Sequence, residues 1–127
     1  MKKLIIAALA ALACCTAAAD QSESAIQGIG VQKCEVVLKA RKESLQAGQT
    51  STLELFILTW VQGYLGGMNT QRAMAVHASK GEPEFLSVGN SEEISNAMVR
   101  ACRKDPSAYI WNVARQHWLR LIDEQVK

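Results

Sequence analysis

The segment that begins at Ser51 constrains this chain most, because it has a clear helix start followed by a long apolar run. Ser51 and Glu54 have the S-x-x-E spacing of a capping box. Leu53, Leu55, Phe56, Ile57, Leu58, Trp60, Val61, Tyr64, Leu65 and Met68 follow. They are apolar nearly all round, which predicts a helix at the buried centre of a bundle. Glu54 and Gln62 interrupt the run, and it is too short to span a bilayer, which takes about 20 apolar residues. Gly63, Gly66 and Gly67 lie inside it, each weakening a helix by about 1 kcal/mol relative to alanine. Gly63 and Gly67 share a face, which predicts close approach of another helix backbone. The helix is expected to continue through Asn69 toward Ala78.

Three further helices follow from periodicity and punctuation. Val31, Cys34, Val37, Leu38 and Leu45 recur near helical spacing and predict a first helix over 31–47, with Gly48 as its stop. Lys80 to Asn90, with Gly81, Pro83 and Gly89, reads as a loop. Asn90 or Ser91 caps a third helix with Glu92 and Glu93 in its first turn, where negative charge suits the helix dipole. Ile94, Ala97, Met98, Ala101 and Cys102 form its inward side. Asp105-Pro106 reads as the start of a last helix, cap then proline, carrying Ile110, Val113, Ala114, Trp118, Leu121 and Ile122 on one side. No segment alternates with a two-residue period. The expected class is all-α, a bundle of about four helices in one domain over 20–127.

The N-terminus reads as a secretory signal peptide over 1–19: Lys2 and Lys3, an apolar stretch from Leu4 to Ala13, and alanines at 17 and 19 before Asp20. Lipoprotein processing at Cys14 or Cys15 is the alternative, although neither has a good acylation context. Cleavage after Ala19 would remove Lys2 and Lys3 and leave 12 basic against 12 acidic residues. No basic excess then remains for nucleic acid or an anionic membrane. Cys34 and Cys102 would be the remaining cysteines, and in an exported chain two cysteines predict one disulfide. It would tie the first helix to the third, with the second between them. A reactive thiol or a metal pair is the alternative, but no other His or Cys lies at ligand spacing.

The sequence holds no G-x-S-x-G, Cys-His constellation, P-loop or H-E-x-x-H. No catalytic residue, cofactor or metal is expected. His117 reads as a core-edge residue and His77 as a solvated one, with a His77 site completed by Glu82 or Glu84 as the minor alternative. Trp60 and Tyr64 share a helix face, as do Trp111 and Trp118. These stripes are either core or, if exposed, a docking surface for another protein, where aromatics are enriched.

Cys34-Glu35, the Trp60 to Asn69 segment (W-x-x-G-Y-L-x-G-x-N) and Ala101-Cys102 followed by Asp105-Pro106 together resemble the small periplasmic helical proteins of the HdeA-like group. The same residues are similar to Tai-type immunity proteins, which neutralise type VI secretion amidases. The cysteines stand further apart than in HdeA itself, and the glycine-rich segment is not an HdeA signature. The HdeA-like resemblance implies a non-enzymatic stress chaperone, dimeric at neutral pH, that exposes apolar surface in acid and binds client proteins. The Tai-type resemblance implies an inhibitor that plugs a toxin cleft, with the Lys80 to Asn90 loop and its Glu82 and Glu84 as the wedge.

Overall fold

The computed structural model describes residues 28–126. The expected leader, with Cys14 and Cys15, lies outside the described residues. A 3-10 turn over Gly28–Val31 precedes four α-helices: α1 over Cys34–Ala47, α2 over Thr52–Lys80, α3 over Ser91–Lys104 and α4 over Ile110–Gln125. The all-α class and the helix number agree with the sequence. No described helix is long and apolar enough to cross a membrane.

The disulfide joins Cys34, the first residue of α1, to Cys102 near the end of α3. These two helices pack directly on each other, and α2 lies against both and against α4. The expectation that α2 sits between α1 and α3 is therefore corrected: those two meet directly, and α2 packs against both. Val61, Leu65, Ile94, Met98 and Ile110 are the large side chains most fully buried at their meeting point. Burying each contributes about 1.5–3 kcal/mol.

Two boundaries and one inward-facing position differ from the sequence reading, each for a local reason. The first helix begins at Cys34, and Val31 belongs to the preceding turn. At the other end of α1, Ser44 takes the buried position and Leu45 is 67% exposed. Asp105-Pro106 does not start α4. The Asp105 carboxylate accepts from the Ser107 backbone N–H (3.0 Å) and hydroxyl (2.7 Å), closing a turn. That turn presents the Pro106 and Ala108 carbonyls to the N–H groups of Glu35 (3.1 Å) and Cys34 (2.8 Å). These are orphan donors at the start of α1, where Lys33 offers no side-chain cap. The residues that looked like one helix's beginning thus finish another's, and α4 starts at Ile110.

The segment over 81–90 is fastened at its middle, from α2 and from α4. The buried Asn69 side chain accepts from the Leu86 N–H (2.9 Å) and donates to the Leu86 carbonyl (2.8 Å). Gln125 makes the same reciprocal pair with Ser87, both bonds at 2.8 Å. Leu86 is thereby held in the core. Asn90 caps α3 in a complete capping box with Glu93.

Candidate partner-binding surface and the buried Glu54 clamp

The packed side of α2 follows the 3.6-residue period: Ile57, Leu58, Val61, Leu65 and Ala73 are buried, and Glu54 and Asn69 lie on the same stripe. The opposite side faces outward, which corrects the expectation of a helix buried all round. Leu55, Phe56 and Met74 are 59%, 65% and 68% exposed. Every exposed α2 position from Thr52 to Ala75 carries an uncharged side chain, a strip about 36 Å long at 1.5 Å per residue. Gly63, Gly66 and Gly67 lie in its middle with open space where a Cβ would stand. The close helix approach expected at Gly63 and Gly67 is not made by any described part of this chain. An uncharged strip with large apolar side chains toward both ends and a bare middle has the composition of a protein-docking face.

Glu54 sits beneath the start of this strip, 5% exposed. Half of the expected capping box forms: the Ser51 hydroxyl accepts from the Glu54 N–H (3.1 Å). The carboxylate does not return the bond, because Ser44 Oγ accepts from the Ser51 N–H instead (2.8 Å). Glu54 Oε1 takes a bond from Ser95 Oγ on α3 (2.7 Å) and one from Arg41 Nη1 on α1 (3.2 Å). One side chain of α2 therefore grips both disulfide-linked helices. Oε2 is buried with no partner while the Ser44 hydroxyl donates to the Ala40 carbonyl (3.1 Å). Burial works to raise the Glu54 pKa. The Ser95 hydroxyl and the Arg41 guanidinium, joined by the Ser44 hydroxyl when its proton turns from the Ala40 carbonyl to the carboxylate, outweigh it and hold the carboxyl below its usual value of 4.5.

The aromatic residues divide. Trp118 is 2% exposed and belongs to the core, so it offers no docking surface. Trp111 is half-buried. Trp60 and Tyr64 are half-buried and stacked, ring centroids 5.4 Å apart. Trp60 lies over Gly30, where any Cβ would overlap the indole, so this ring fastens the 3-10 turn to α2. Burial raises the Tyr64 pKa, and Arg115 lowers it in part. Glu82 and Glu84 are both exposed. Arg72 holds Glu84 by an ion pair (3.5 Å) and by a bond to its carbonyl (2.8 Å). His77 is exposed and His117 half-buried, as the sequence suggested. Among the described residues, no group of three or more His, Cys, Asp or Glu is placed to hold a metal ion.

Sequence reasoning missed Glu54 and the exposed strip. The signal for Glu54 was available: a carboxylate at helical spacing with Ile57, Leu58 and Val61 lies on their apolar side and needs a partner once buried. Comparisons with family models, characterised proteins and solved structures find no match to this chain.

Proposed function

We propose that this chain is an exported, non-enzymatic protein-binding domain of the acid-responsive chaperone type. The observation that carries this reading is Glu54, a buried carboxylate held to Arg41 and Ser95. Because its native pKa is depressed, the native state binds fewer protons there than the unfolded state. The stability it contributes is present above pH 4.5 and is lost as pH falls through the native value. Protonation removes the charge that attracts Arg41, while the disulfide still ties α1 to α3. The start of α2 is then free to lift and uncover Ile57, Leu58 and Val61 beside the apolar Leu55 and Phe56. At neutral pH the uncharged strip suits a second copy of the chain, since a two-fold pairing there meets no like-charge repulsion.

The test is apolar-dye fluorescence and suppression of client aggregation at neutral pH and at about pH 2–3, well below carboxylate pKa values. Dye binding and client protection that appear only in acid support the reading. A domain that stays folded and inert in acid contradicts it.

A second reading is an inhibitor of a periplasm-directed toxin such as a type VI amidase. It is favoured by the anchoring of the 81–90 segment, which presents Phe85, 62% exposed, and Glu82 on an ordered backbone. With Glu84 engaged by Arg72, the wedge narrows to Glu82 and Phe85. A toxin gene beside this one, and loss of protection in E82K/F85A, would support that reading over the first.

A further inference from the structure

On the side of the molecule formed by α3 and α4, two adjoining cavities of about 440 and 360 Å3 share Ala97, Arg100, His117 and Arg120. Together they form one groove that follows α3 from Lys104 back to Glu93. That is about 17 Å at helical rise, the span of about five extended residues. Its floor is apolar at Ala97, Ala101 and Val113.

Its polar wall is made chiefly of donors. Arg120 Nη2 lies 2.7 Å from His117 Nδ1. A guanidinium has no acceptor, so Nδ1 must present its lone pair and the ring proton must sit on Nε2. His117 is thus neutral and keeps one N–H to donate. Burial and the charges of Arg120 and Arg100 hold its pKa below the usual value, against the opposing pull of Glu124. Arg120 also donates to Glu124 (2.8 Å). Arg100 and Lys104 make no ion pair with any described residue. Lys104 complements the C-terminal dipole of α3, but Arg100 stands a turn further in. The carboxylate that lines the groove, Glu93, is at the far end, receiving the Asn90 N–H (2.9 Å). Unpaired positive charge is therefore concentrated at Arg100 and Lys104, above an apolar floor, with Arg120 beside them shared with Glu124.

We infer that this groove binds an acidic peptide segment of a partner protein, with carboxylates on Arg100, Lys104 and Arg120 and small apolar side chains on Ala97, Ala101 and Val113. A compact oxyanion would engage the cationic end and leave the floor uncovered, whereas an extended chain alternating acidic and small apolar residues covers both. The assignment rests on the reading of the chain as a protein-binding domain, but it uses neither the α2 strip nor acid release.

The test is an NMR titration of the purified protein at neutral pH with an alternating glutamate–alanine heptapeptide, following backbone amides and the His117 ring. Saturable shifts at Ala97, Arg100, Ala101, Val113 and His117 are expected, with an upward move of the His117 pKa as carboxylates arrive. Affinity should fall at least tenfold in R100Q/K104Q, whose substitutions are at exposed positions, and in the single variant K104E. A glutamine–alanine heptapeptide should bind at least tenfold more weakly. Equal binding of that neutral peptide, or unchanged affinity in the variants, overturns the proposal. Inorganic phosphate that moves the same resonances with equal affinity also overturns it, in favour of a simple anion site. Shifts confined to Leu55 and Phe56 overturn the groove while leaving the α2 face as a docking surface.

Discussion

Glu54 and Asn69 stand fifteen residues apart on the packed side of α2, and both are buried polar side chains that fasten the helix to the rest of the fold. Glu54 grips α1 and α3 near the start of α2 through Arg41 and Ser95. Asn69 grips the 81–90 segment in the second half through both polar groups of the Leu86 backbone. The geometry is similar, but the chemistry differs in one respect: the carboxylate titrates and the amide does not. A helix with one titratable and one neutral anchor does not respond evenly to acid. The first half of α2 should loosen as Glu54 gains a proton, while the second half stays anchored.

The largest expected effect comes from the tie that belongs to neither end. Replacing Cys34 and Cys102 by serine opens a loop with a sequence separation of 68 and should cost about 4 kcal/mol. In denaturant melts the loss should be equal at pH 7 and pH 5, because no titrating group is removed. Arg41→Met leaves Glu54 buried without its cation. The full cost of such a loss is about 3–5 kcal/mol, reduced here to about 2–3 kcal/mol because Arg41 is one-third exposed. That deficit should shrink on acidification, once Glu54 is protonated in both proteins. Asn69→Leu should cost about 2 kcal/mol by leaving the Leu86 N–H and C=O unpaired, with the same loss at both pH values. A pH-dependent loss in Asn69→Leu would break the comparison. Glu54→Gln should cost about 1 kcal/mol at neutral pH and flatten the acid limb of the stability curve, which sharpens the assignment of that limb to one residue. Phe56→Ser should change stability by less than about 0.5 kcal/mol, as for surface sites generally, yet reduce client protection in acid.

The sequence revealed the helices better than the contacts between them, and the reason is physical. Periodicity, capping chemistry and Gly48 are local, so α1, α2 and α3 could be placed within a few residues. The pairing of Cys34 with Cys102 followed from there being two cysteines in a chain read as exported. The destination of the Glu54 carboxylate was not local. Its spacing from Ser51 pointed to a capping box, but the partner Ser95 lies 41 residues away, and only tertiary packing brings it near. Asp105-Pro106 carried a helix-start signal, and the turn it opens caps the distant start of α1, a use that spacing cannot encode. The outward face of α2 was hidden by its apolarity: hydrophobic residues on every side indicate burial on every side until the number of neighbouring helices is known. Trp60 and Trp118 looked equivalent as stripe residues, and only the fold separates a half-buried brace from a core side chain.

The central claim is that acid releases one end of α2 and spares the other, and amide hydrogen exchange read residue by residue through an acid titration tests it most directly. The account predicts that Ile57, Leu58 and Val61 lose protection together as Glu54 titrates below pH 4.5, while Leu65 to Ala73 stay protected, and that Glu54→Gln abolishes this step. Simultaneous loss along the whole of α2, or an unchanged step in Glu54→Gln, would contradict it.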